Sequence, residues 1–170
     1  MASSTHDLRL VPLSVATMRA LVAGDLAAAS ESAGLTATPY LVDHAWLWAI
    51  RLAQVAQDPG ALEWIARAAV TPDGQVVGLV GFHGPPDARG MVEVAYGVDP
   101  AFRRQGFARA LLRTALDWAA AVPEVRVVRA SISPDNEASL ATLRPFGFTH
   151  VGEQWDDEDG RELLFERPAR

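Results

Sequence analysis

Six consecutive residues, Arg103-Arg104-Gln105-Gly106-Phe107-Ala108, combine the types that hold a phosphate. Unpaired N–H groups and the positive dipole end at the start of a helix favour an anion. Gly106 lets the main chain come close, Ala108 keeps the first turn small, and the arginines add attraction. A basic glycine loop can also do no more than turn the chain. A second set lies in Asn136-Glu137-Ala138-Ser139, a carboxamide and a hydroxyl three residues apart. They can meet a ligand, or cap the first turn of their own helix. Glu93, on the segment before the basic loop, is a candidate proton acceptor or a solvent-facing strand residue; His83 and His44 have the right intrinsic range for the same task. Asp156-Asp157-Glu158-Asp159 offers four carboxylates that attract a cation or simply solvate a turn.

Composition removes several classes of function. The 170 residues include no cysteine, so a disulfide framework, a thiolate metal site and a cysteine nucleophile are excluded together. A net charge of −6 without a concentrated basic stretch disfavours duplex nucleic acid, whose affinity comes largely from phosphate neutralisation. No window reaches the roughly 18 uninterrupted apolar residues of a membrane helix. The first residues lack the basic and apolar halves of a secretion signal, so a cytoplasmic location is expected. All 15 basic residues are arginine, which fits the coding bias of a GC-rich bacterial genome.

The elements that must position these residues follow from patterning. Leu8 to Leu13 alternates loosely as a strand; Ser14 caps a helix from Val15 to Val22, and Asp25 caps another to Ala33, stopped by Gly34. Asp43 is expected to cap a long helix ended by Asp58-Pro59-Gly60. Its Trp46, Ile50 and Ala53 share one face, widened by Leu47, Trp48, Leu52 and Val55. Such a helix reads as core, with a tryptophan-walled cleft as the other reading. Trp64 to Val70 and Gln75 to Phe82 form a hairpin about Thr71-Pro72-Asp73-Gly74. Met91 to Val98 is the next strand, Phe107 to Ala120 an amphipathic helix, and Val125 to Ile132 a strand that completes a crossover unit. A short helix runs to about Leu143, and Thr149 to Trp155 pairs with Glu162 to Glu166 across the acidic turn.

Arg103, Gly106 and Ala108 fill the pattern Arg or Gln, two free positions, Gly, one free position, Gly or Ala. Together with Asn136-Glu137-Ala138-Ser139-Leu140 and the closing Phe146-Gly147-Phe148, they make the sequence resemble the GCN5-related N-acetyltransferase (GNAT) superfamily. The likeness is to the branch similar to ribosomal-protein N-terminal acetyltransferases, and it runs from about Trp64 to Phe165. It implies an α/β (α+β) acyl-coenzyme A N-acyltransferase fold: a central mixed, mostly antiparallel sheet flanked by helices, with a splayed parallel strand pair. One domain over 1–170 would divide into an acceptor side (8–63), a central sheet with the acetyl-coenzyme A core (64–132), and a C-terminal helix and hairpin (133–170).

The same resemblance implies the site. Main-chain groups of Arg104, Gln105, Gly106, Phe107, Ala108 and Arg109, with Arg103 beside them, would hold the pyrophosphate of acetyl-coenzyme A. Tyr96, Gly97 and Val98 would splay from the strand Arg129 to Ser131, with the pantetheine arm in the gap and an N–H near Val98 polarising the thioester. Asn136 would contact that arm, and Ser139 would place a hydroxyl near the thioester sulfur. Glu93 would accept the proton of the amine acceptor, whether a protein N-terminus or a small molecule. Many family members carry a tyrosine seven residues after the asparagine; here that position is Leu143, so the thiolate's proton must come from Ser139, water or another hydroxyl such as Tyr96. Without cysteine, direct attack in a ternary complex is expected. No metal, nucleic acid or membrane partner is implied, and a homodimer is compatible. The alternative is a non-catalytic acyl-coenzyme A binding or sensing domain. A dinucleotide-binding turn is set aside, because Gly-x-Gly-x-x-Gly is absent.

Overall fold

The computed structural model describes residues 6–170. Seven strands form one sheet: β1 (Arg9–Pro12), β2 (Arg67–Val70), β3 (Val76–Phe82), β4 (Met91–Val98), β5 (Val127–Ile132), β6 (Thr149–Asp156) and β7 (Gly160–Pro168). Their order is β1-β2-β3-β4-β5-β7-β6. All neighbours run antiparallel except β4 and β5, which are parallel and joined by helix α5 (Phe107–Ala121). This is the mixed, mostly antiparallel sheet with one parallel pair that the family resemblance implied.

Period-2 alternation sends neighbouring strand residues to opposite faces, and each face has its own core. On one face α5 buries Phe107, Leu111, Ala115 and Ala119, one residue every four, among Val80, Val92 and Val128. On the other lie α1 (Val15–Val22), α2 (Leu26–Ala33), α3 (Pro39–Asp43) and α4 (Ala45–Gln57), with Met18, Leu21, Leu41 and Trp48 against Ala68 and Leu79. Each fully buried side chain of this size contributes about 1.5–3 kcal/mol relative to exposure. The short α6 (Glu137–Leu143) closes the first face, burying Leu143.

Local signals placed two of the helix starts. Ser14 accepts from the Thr17 N–H at 3.1 Å and Asp25 from the Ala28 N–H at 3.0 Å. The expected cap at Asp43 is not formed. Pro39, with its φ preset, opens α3, and Asp43 is the last residue of that helix. His44 then breaks the path, its Nδ1 2.8 Å from the Tyr40 carbonyl, and α4 begins at Ala45. Strand β2 begins at Arg67 rather than Trp64, because a 3-10 turn over Pro59–Glu63 carries the chain past Trp64. Strand β5 begins two residues later than expected, and the final hairpin extends to Asp156 and from Gly160 to Pro168.

Candidate active site

The parallel pairing of β4 with β5 runs through Met91↔Val127, Val92↔Val128 and Glu93↔Arg129, and stops there. Beyond Glu93 the strands diverge. The Asp99 N–H donates to Val77 O and the His83 N–H to Glu93 O, each at 2.9 Å. With unbroken β3–β4 register between them, Ala95 and Gly97 turn their main-chain groups to β3, and Tyr96 and Val98 turn theirs to the gap. A cavity of about 560 Å³ fills this opening, lined by Ala95, Tyr96, Ser131, Ser133, Asn136 and Ser139, among others.

The basic loop lies at the C-terminal end of β4. Arg103 Nε is 3.4 Å from Val98 O, and Arg104 adopts φ 61°, the single non-glycine residue with positive φ among the described residues. Gly106 follows at φ 89° as the N-cap of α5, and no side chain caps that end. The first-turn N–H groups therefore keep their capacity for an anion. The Phe107 ring is buried and anchors the turn, packed edge-on to Phe102 at 5.9 Å and stacked on His6 at 4.1 Å. His6 Nε2 also lies 2.6 Å from Gln105 O, tying the start of the described chain to the loop.

An acetyltransferase (GNAT) domain profile matches residues 7–149, most of the chain. This chain belongs to the GNAT acetyltransferase family. Two curated relatives match over shorter stretches: the uncharacterized N-acetyltransferase YjdG of Bacillus subtilis, 32% identical over 74 residues (44% of each chain), and the N-alpha-acetyltransferase RimI of Mycobacterium tuberculosis, 45% identical over 56 residues (33% of each). The matches thus span less than half the length of these relatives. Among solved structures, the microcin C7 self-immunity acetyltransferase MccE, in complex with acetyl-CoA and AMP, superposes with a TM-score of 0.65 at 13% identity. It covers 95% of this chain and 92% of that one, and shows the shared fold.

Within this GNAT domain, Asn136 Oδ1 accepts from the Ser139 N–H at 3.1 Å, so the capping role is real, and both residues also line the cavity in the gap. Leu143, at the position where many family members have tyrosine, is 3% exposed in the core. Tyr96 brings a phenol hydroxyl to α6. It lies near the Ser139 and Thr142 side chains, yet it is buried without a hydrogen-bond partner. Burial pushes this phenol above its usual pKa, and the two hydroxyls oppose that only in part. Gly97 points the other way: a Cβ there would stand 3.2 Å from the Tyr40 hydroxyl. The Tyr40 phenol is itself pushed up to about 12, first by burial and then by Asp99, against the pull of Arg103.

Glu93 is brought to the same cavity. Its Oε1 accepts a 2.6 Å hydrogen bond from Ser131 Oγ, and His83 Nδ1 stands 3.7 Å from the same oxygen. Around them the cavity is lined by Gln154, Asp156, Asp159 and Glu162, contributed by the last hairpin. Hydrogen bonds from the Asp159 and Glu158 N–H groups hold the Asp156 carboxyl below its usual range, with a further contribution from His83. Asp157 and Glu158 of the same turn are absent from the cavity lining. Gln154 and Glu162 carried no signal in the sequence, and Ser131 was expected only as the end of the strand bordering the gap, with no contact to Glu93. Ser131 carried one usable signal, its position two residues from Arg129 on the strand parallel to Glu93.

A second cavity, about 380 Å³, meets the first at His83, Ala95 and Tyr96. One wall comes from α3, α4 and the His44 between them: Tyr40, His44, Trp46, Leu47 and Ile50, with Arg51. The expectation that Trp46, Ile50 and Ala53 face the core is thereby corrected. Trp46 is 61% and Ile50 50% exposed, and Ala53 is exposed as well, while Trp48 and Val55 are buried. An all-round apolar helix cannot announce which stripe faces inward; here Trp48 wins because its Nε1 also finds the Leu41 carbonyl at 2.6 Å. Arg51 and Gln54 both donate to the His83 carbonyl, which ties α4 to the end of β3. His44 is engaged with Tyr40 and belongs to this second cavity rather than to the Glu93 cluster.

Proposed function

We propose that this chain transfers an acetyl group from acetyl-coenzyme A to a primary amine by direct attack in a ternary complex. The observation that carries this reading is the gap between β4 and β5 past the Glu93↔Arg129 pair, bordered by hydroxyls and carboxamide on one side and a proton acceptor on the other. The uncapped α5 start with Gly106 in the left-handed conformation fits a diphosphate, and the Tyr96 main-chain groups and Val98 N–H turned to the gap fit an amide-bearing arm. The cosubstrate supplies an activated acyl thioester.

The protein's own part is positioning and proton handling. The Arg103–Arg109 segment holds the diphosphate, with N–H groups rather than side chains as the main donors. Asn136 and Ser139 line the arm, and a main-chain N–H at Tyr96 or Val98 polarises the thioester carbonyl. Glu93, kept in place by Ser131, takes the proton that the ammonium must lose before nitrogen can attack. The Tyr96 hydroxyl, buried and unpartnered beside Ser139, supplies the leaving thiolate with a proton in place of the tyrosine that Leu143 replaces.

Leu143 also favours a second reading, in which the domain binds acyl-coenzyme A without turnover. Titration calorimetry with acetyl-coenzyme A, followed by a thiol-release assay with a panel of amines, tests both. Saturable binding with amine-dependent release of coenzyme A is expected. Binding without release from any amine refutes transferase activity, and no binding refutes both readings.

A further inference from the structure

The two cavities that meet at Ala95 and Tyr96 differ in chemistry. The first carries Glu93, Asp156, Asp159 and Glu162 and no arginine; the second is walled by Tyr40, Trp46, Leu47 and Ile50 and contains no carboxylate. The single arginine of the second is turned to Gln54 Oε1 and the His83 carbonyl, at 2.7 and 3.2 Å. Trp46 and Ile50 are the large apolar residues that α4 leaves half or more exposed, one helical turn apart, and both line this cavity.

Resting on the acetyltransferase reading, we infer that the acceptor is a primary amine borne on a bulky aromatic or branched apolar group. Its ammonium is drawn to the carboxylates around Glu93, while its apolar body lies against Trp46, Leu47 and Ile50. Complementarity of charge and of apolar surface each select one end of the molecule. A long polyamine is disfavoured, because its second ammonium would have to enter the apolar cavity, where no carboxylate lines the wall. A small hydrophilic amine is also disfavoured, since it leaves the apolar wall uncovered.

The same amine chemistry occurs free and at the N-terminus of a polypeptide that begins with a large apolar residue. The test compares phenethylamine, a short peptide with N-terminal Phe, ethanolamine and spermidine by coenzyme A release, with acetyl-coenzyme A affinity measured separately. The two apolar amines are expected to show kcat/KM at least tenfold above the hydrophilic pair. Trp46→Ala should raise their KM tenfold or more with the acetyl-coenzyme A affinity unchanged, Trp46→Phe should restore it, and Trp46→Glu should shift preference toward spermidine. Whichever apolar amine leads identifies the source, free or polypeptide. Equal or better use of ethanolamine or spermidine, or an unchanged preference in Trp46→Ala, overturns the inference. Binding of acetyl-coenzyme A without turnover of any of the four amines, or failure to bind it, would instead bring down the acetyltransferase reading beneath it.

Discussion

Gly106→Val tests the anion loop at the point where backbone geometry and binding coincide. Gly106 sits at φ 89° and ψ −1°, and a Cβ added there meets only the His6 ring, at 3.6 and 3.8 Å, which is ordinary contact. The cost therefore comes from conformation and not from collision. Holding an L-residue in the left-handed region costs about 1–2 kcal/mol, and a β-branched one sits at the upper end. For a chain of this length that lowers Tm by about 2–8 °C, so the variant still folds. Relaxing the strain means rotating φ to a negative value, which swings the N–H groups at the start of α5 away from the anion. Losing about 1.4 kcal/mol or more of binding corresponds to at least a tenfold weaker Kd for acetyl-coenzyme A. Gly106→Ala should fall between the two, because it has the strain without the branch. Calorimetric titration beside a thermal melt reads both quantities. Unchanged affinity in a folded Gly106→Val protein would refute the assignment of the diphosphate to this loop.

Three further outcomes are expected. Tyr96→Phe removes a buried hydroxyl that has no partner, so stability should rise by up to about 1–3 kcal/mol, read from a thermal melt, while kcat falls and acetyl-coenzyme A affinity holds; a kcat equal to wild type would exclude the phenol as proton donor. Glu93→Gln should lower kcat/KM for amines at least a hundredfold near neutral pH without weakening the cosubstrate, and the loss should shrink as pH rises and the free amine becomes abundant; a pH-independent defect would point to a packing role. Glu166 accepts two hydrogen bonds from Arg129, at 3.0 and 2.6 Å, and these hold its pKa below the ordinary carboxylate value. Its contribution to stability is present above the unfolded value of about 4.3 and is lost as pH falls through the lower folded value. Urea midpoints should therefore drop on acidification below about pH 4.3, and a Glu166→Gln variant that shows the same slope in that window would refute this source.

Several features were legible in the residues alone, because the forces that fix them act within a few positions. Ser14 and Asp25 each satisfy an N–H three residues on, and Gly106 before the apolar spacing from Phe107 marks a helix start, which the structure leaves without a side-chain cap. The crossover from β4 through α5 to β5 follows from helix length and from the parallel strands it joins. The expected cap at Asp43 failed through an equally local competitor, since Pro39 could nucleate its own helix four residues earlier.

What only tertiary structure decided involves residues far apart in the chain. Glu93 was a candidate base in the sequence, but its surroundings were decided by the fold: Ser131, 38 residues later on β5, donates to it, and the last hairpin brings Gln154, Asp156 and Glu162 to the same cavity. Asn136 offered two roles in the sequence, and the fold lets it fill both places, capping α6 while bordering the gap. The outward turn of Trp46 and Ile50 was beyond periodicity, since α4 is apolar on most sides and its rotation is set by which stripe packs better. Trp48 reaches the Leu41 carbonyl and fills the core, and that single choice leaves the opposite tryptophan facing the cavity that meets Ala95.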